Sequence, residues 1–74
     1  MMAVDAFVES SVDGGQTWGR EGDPRATPRT KGPWSVPHAL EIARACWCTL
    51  VPSKRWMVRV VDTDGVVVEQ WPKP

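Results

Sequence analysis

The sequence predicts an α+β domain of the order ββαββ: a four-stranded antiparallel sheet built of two hairpins, with one helix packed on one face. Three observations carry that expectation. Apolar residues alternate with period two near both ends of the chain. Each alternating stretch contains a glycine-bearing turn, at Asp13-Gly14-Gly15 and at Asp62-Thr63-Asp64-Gly65. Between them lies one stripe of apolar residues with helical spacing. At 74 residues the chain is read as a single domain, 1–74.

Taken in order, Val4, Ala6 and Val8 alternate with Asp5, Phe7 and Glu9, so Val4 to Ser11 reads as a half-buried strand. Gly14 and Gly15 supply the positive φ of a tight turn, and Gln16 to Gly19 is expected to begin the return strand. The stretch 20–33, "REGDPRATPRTKGP", has three prolines, two glycines and no large apolar residue. It reads as an exposed, flexible loop, its first residue or two open to continuing the return strand, and it is longer than most in compact domains. Arg20, Arg25, Arg29 and Lys31 outweigh Glu21 and Asp23 there, making it the most basic part of the chain.

Ser35 is placed to cap a helix, its hydroxyl accepting from free N–H groups of the first turn. Pro37 falls in that turn, where a missing N–H costs little. Val36, Leu40, Ala43 and Trp47 follow at i, i+4, i+7 and i+11, and Ala39, Cys46 and Leu50 widen the stripe. The helix is expected from Val36 to about Thr49, limited by Pro52. Arg55 to Asp62 is the clearest strand, with Trp56, Val58 and Val60 on one side and Met57, Arg59 and Val61 on the other. After the second turn, Val66 to Trp71 returns as the last strand, rich in β-branched residues.

This order leaves one sheet face for the helix and one outside. The outer face is expected to carry Phe7, Met57, Arg59, Val61 and Trp71, more apolar than a solvated face needs to be. It reads either as a contact surface or as a surface that the long loop folds back to cover.

Composition limits the functions open to the chain. Hydrophobic residues make up 42% and charged residues 24%, as in an ordinary globular domain. Nine basic residues balance nine acidic ones, so binding to nucleic acid would need a local patch rather than a global basic excess. Zero net charge weakens repulsion between copies and favours a protein bound to a partner or to itself. The five tryptophans are many for this length, and tyrosine is absent. The first residues, Met1-Met2-Ala3-Val4-Asp5, lack the basic and apolar regions of a secretory signal. The longest mostly apolar run, Ala43 to Val51, is interrupted by Arg44 and Thr49 and is far too short to span a bilayer. The expected setting is the cytoplasm, away from membranes, with both cysteines reduced.

The octet Ser11-Val12-Asp13-Gly14-Gly15-Gln16-Thr17-Trp18 resembles the Asp box (BNR motif), S-x-D-x-G-x-T-W, of sialidases and related β-propellers, matching at every defining position. In those families the box is a hairpin remote from the catalytic centre. The resemblance implies that Asp13 and Ser11 bond the turn's backbone and that Trp18 packs beneath it. It does not extend to sialidase activity, which needs several propeller blades, an arginine triad and a tyrosine nucleophile. The octet covers eight residues, and the chain holds about one blade's worth of sequence.

No other motif carries catalysis or a cofactor. Cys46 and Cys48 are two apart on a helix and point to different sides; with His38 alone nearby they do not complete a zinc site. His38 has no serine, cysteine or carboxylate placed by sequence to partner it. Asp62-x-Asp64-Gly65 echoes the start of a calcium loop, but valines occupy later ligand positions. No phosphate-cradling or dinucleotide-binding glycine loop is present. The expected protein is therefore not an enzyme and holds neither cofactor nor metal.

The Arg-, Val-, Trp- and Pro-rich composition, with three lysines, is similar in style to small uncharacterised proteins of actinobacteria and their phages. That resemblance implies a phage-encoded interaction module binding a host or phage protein. Its expected contacts are the outer face (Phe7, Met57, Arg59, Trp71) and the basic loop (Arg20, Arg25, Arg29, Lys31). Two alternatives remain. One is a nucleic-acid-binding accessory protein using the 20–33 loop, with Trp18 and Trp34 as stacking platforms at its ends. The other is a structural homodimer in which two sheets meet face to face or edge to edge.

Overall fold

The structure is a computed structural model and describes residues 5–25, 27–28, 30–49 and 56–72. One helix, α1 (Val36–Thr49), packs against an antiparallel sheet of five strands: β1 (Asp5–Ser11), β2 (Gly19–Glu21), β3 (Trp34–Ser35), β4 (Met57–Asp62) and β5 (Val67–Trp71). The α+β class and the single helix match the expectation, but the sheet has five strands, not four.

The extra strand is β3. The sheet runs β2-β1-β4-β5, and β3 also pairs with β1. Val8, Glu9 and Ser10 of β1 face Glu21, Arg20 and Gly19, while Asp5 and Ala6 face Ser35 and Trp34. β2 and β3 therefore share one side of β1, end to end, as a single edge interrupted by the loop between them. Two residues are too few to show a period, so Trp34-Ser35 is silent in the sequence. The other side of β1 pairs with β4 along its length, from Ala6 opposite Asp62 to Ser11 opposite Met57.

The return strand also starts later than expected, at Gly19, because the turn before it is held by side chains. The Asp13 carboxylate accepts from the N–H groups of Gln16 (3.1 Å) and Thr17 (2.9 Å), from the Thr17 hydroxyl (2.6 Å) and from the Ser11 hydroxyl (2.7 Å). Ser11 Oγ in turn accepts from Gly15 N at 2.9 Å, and Trp18 Nε1 donates to the Gly15 carbonyl at 3.0 Å. Gly15 has φ +93°, and a Cβ there would stand 3.4 Å from Met57 Sδ and 3.5 Å from the Trp18 ring. These bonds fix a long closure in place of a two-residue turn. They also hold the Asp13 carboxyl well below the usual carboxylate range, chiefly through the Thr17 side chain and then Ser11.

The helix begins where the cap predicts. Ser35 Oγ accepts from the His38 N–H at 3.4 Å, across the first turn. Its buried line is Ala39, Ile42, Ala43 and Cys46, with Val36, Leu40 and Trp47 partly buried beside it. The stripe is thus centred nearer Ile42 than the sequence spacing suggests. Ile42 is the one bulky side chain of the helix that is fully buried. Leu50, expected to extend the stripe, lies outside the described residues.

Against this line pack Ala6 and Val8 of β1, Val58 and Val60 of β4, and Trp71 of β5. Each fully buried Val or Ile contributes roughly 1.5–3 kcal/mol relative to exposure. Trp34 and Trp56 are partly buried against the same core. Trp56 Nε1 is buried with no hydrogen-bond partner among the described residues. No described helix is long and apolar enough to cross a membrane.

Candidate interaction face

The face of the sheet opposite α1 is built by the odd-numbered residues of β1 and β4. Cross-strand register sets them in rows. Arg20, Glu9, Arg59 and Gln70 stand side by side across β2, β1, β4 and β5. One row over, Phe7 faces Val61, which faces Val67. On the other side of the charged row, Met57 faces Ser11.

The charged row is linked by ion pairs. Arg59 Nε donates to Glu9 Oε1 at 2.8 Å, and Arg59 Nη2 reaches the same oxygen at 2.8 Å. Arg20 Nε lies 3.9 Å from Glu9 Oε2 on the other side. Both guanidiniums also lie on aromatic rings: Arg20 Cζ is 3.8 Å from the centroid of Phe7, and Arg59 Cζ is 3.9 Å from that of Trp18. Each cation–π contact contributes about 0.5–1 kcal/mol where water reaches it. With two arginines on one glutamate, the row keeps one unmatched positive charge.

Phe7, Met57 and Arg59 are half-buried on this face, and Arg20 is exposed there within β2. The structure brings these four expected residues together. Trp71 is a correction. It faces Val58, is 9% exposed and belongs to the core under α1. The cause is a register irregularity between Val60 and Val61: Val61 pairs with Val67, but Val60 pairs with Glu69. One extra residue on β5, Val68, is inserted there, and an inserted residue reverses the face of everything beyond it. Straight counting back from Val61 opposite Val67 would put Trp71 opposite Met57, on the outer face.

The basic loop divides. Arg20 is part of β2, and Arg29 lies outside the described residues. Arg25 is turned onto Asp23: its N–H donates to Asp23 Oδ1 at 2.9 Å and its Nε to the same oxygen at 3.2 Å. Asp23 is 9% exposed, its own N–H donates to the Thr30 carbonyl at 3.2 Å, and His38 Nε2 lies 3.9 Å from Oδ2. The Arg25 backbone and then side-chain bonds hold the Asp23 carboxyl below its ordinary value. The loop expected to be exposed thus contains a buried carboxylate that engages one of its cations, although Arg25 itself stays exposed. Lys31 is exposed.

Sequence reasoning missed two residues of the outer face. Glu9 shares the parity of Phe7, but its position between two arginines depends on register, which the sequence does not state. Trp18 reads in the sequence as an anchor for the turn and as a stacking platform at the end of the loop, not as a member of this face. It reaches the face because the turn carries it there, half-buried, beneath Arg59.

Cys46 is buried and Cys48 exposed, and neither forms a disulfide among the described residues. Among the described residues no three His, Cys, Asp or Glu side chains are grouped to hold a metal ion. No family model, no curated protein and no solved structure matches this chain.

Proposed function

We propose that this chain is a small, non-enzymatic interaction module that binds another protein through the outer face of its sheet. The observation that carries the reading is the composition of that face. Phe7, Met57, Val61 and Val67 flank a row in which Arg20 and Arg59 share Glu9. Aromatic side chains, methionine and arginine are the types enriched where proteins meet. The rings beneath the guanidiniums and the ion pairs to Glu9 hold both arginines before a partner arrives, so less entropy is lost on binding. The unmatched positive charge defines the partner's chemistry: an apolar patch bordered by a carboxylate that pairs with Arg20. On the stylistic resemblance to actinobacterial and phage proteins, the chain is phage-encoded and the partner is a host or phage protein.

The loop contributes less to this reading than the sequence suggests, because Arg25 is engaged by Asp23. Affinity capture with three baits tests the proposal: the native chain, the face variant Met57→Glu with Val61→Lys, and the loop variant Lys31→Glu. Circular dichroism checks that each is folded. The native and loop baits are expected to retain the same protein at low and moderate salt, and the face variant to lose it. Loss from the loop variant alone, with a steep fall in binding as salt rises, would replace the proposal with nucleic-acid binding.

A further inference from the structure

The two edges of the sheet are unlike. On one side β2 has three residues and β3 two, separated by a loop, and β2 carries Arg20 and Glu21. Short, interrupted and charged edges resist pairing with other chains. On the other side β5 runs five residues, and β4 is the only strand paired with it among the described residues. Val66, just before it, and Val67 and Val68 at its start are 58%, 43% and 40% exposed.

Backbone direction shows which groups this edge offers. Asp62 N donates to the Val66 carbonyl at 2.9 Å, and Val66 N donates to Asp62 Oδ1 at 2.9 Å. In an antiparallel ladder, bonded and non-bonded pairs alternate. Val61 opposite Val67 is therefore the non-bonded pair, and the N–H and C=O of Val67 point away from β4. Beyond the inserted Val68, the same alternation gives a bonded pair at Val60 and Glu69 and a non-bonded pair at Arg59 and Gln70. Gln70 thus also turns its N–H and C=O outward. The insertion sets these two outward units three residues apart in sequence rather than two.

We propose that a second copy of this chain pairs with β5, strand to strand and antiparallel about a two-fold axis, with Val67 opposite Gln70 of the other copy. The second copy is favoured because symmetry gives it the same three-residue spacing. Both outward units of each strand then meet in one register, forming about four backbone hydrogen bonds. In that register Glu69 faces Val68, so no like charges are opposed across the axis. The chain's zero net charge removes long-range repulsion between copies. Val67 and Gln70 both lie on the outer side, so the joined sheets present one continuous outer face. The contact is small beside the roughly 800 Å² per partner of a standard interface, which makes the dimer a weak one. This inference does not depend on the protein-binding reading above.

Sedimentation equilibrium of the full chain tests it. The weight-average mass is expected to rise from one chain toward two between about 10 µM and about 1 mM. Gln70→Pro removes an outward N–H without touching the bonds to β4, and Val67→Lys places a charge at the edge. Folded by circular dichroism, each is expected to remain at the mass of one chain, while Met57→Glu on the face dimerises like the native protein. If Gln70→Pro does not fold, Val67→Lys decides. A native chain that stays single throughout would overturn the proposal. So would edge variants that still dimerise, or a Met57→Glu variant that does not.

Discussion

The two faces of this sheet use the same strands for different ends. Toward α1, Ala6 and Val8 of β1 and Val58 and Val60 of β4 are fully buried, and Trp71 joins them. Away from α1 the same strands carry Phe7, Glu9, Met57, Arg59 and Val61, all half-buried. One face is held by area removed from water, the other by directional contacts: ion pairs, guanidinium on ring, and a tryptophan delivered by a turn. In a 74-residue chain the core is small, so the apolar face carries most of the stability. The outer face is free to be chosen for contact.

The largest effect that would break this comparison is at Trp71. Trp71→Ala is expected to cost about 3–5 kcal/mol in urea unfolding, as a large core side chain replaced by alanine does. Trp18→Ala is expected to cost less, about 1–2 kcal/mol, from one hydrogen bond and one cation–π contact. Equal losses at the two tryptophans would erase the distinction between the faces. A double-mutant cycle with Glu9→Gln and Arg59→Gln sharpens it further. These half-buried side chains, 25% and 16% exposed for Arg59 and Glu9, are expected to couple by about 1 kcal/mol, and no coupling would mean that this pair adds no stability.

The smallest effect concerns the turn and shows as a pH dependence. Asp13 titrates lower in the folded chain than in the unfolded one, because its hydrogen bonds favour the carboxylate. Its contribution is therefore fully present above the unfolded value of about 3.9 and is lost as pH falls through the lower folded value. Asp13→Asn is expected to be less stable than the native chain at neutral pH, with the gap closing in acid. A gap that stays constant with pH would contradict that assignment.

Local pattern carried much of the fold into the sequence. The alternation of Ala6 with Val8 and of Val58 with Val60, the Ser35 cap and the helical stripe each depend on neighbours a few residues apart. The features that did not show depend on pairing between distant residues. β3 exists only because Asp5 and Ala6 offer it an edge. Trp71 changes face because of a single inserted residue, Val68, that no periodicity of β5 reveals. The outer face follows the same division. Phe7, Met57 and Arg59 were legible from parity, whereas the place of Glu9 between two arginines needed the register of three strands. Trp18 was legible as part of the turn, but its position under Arg59 was not.

The outer face can be probed directly for what touches it. A photo-crosslinking residue at Val61 would report contacts on that face, and one at the exposed Glu41 of α1 would report the opposite side of the molecule. In cells that make the native protein, Val61 is expected to give a discrete adduct with another protein, and Glu41 none. An adduct from Glu41 alone, or the same adducts from both positions, would contradict the claim that the outer face is where this chain meets its partner.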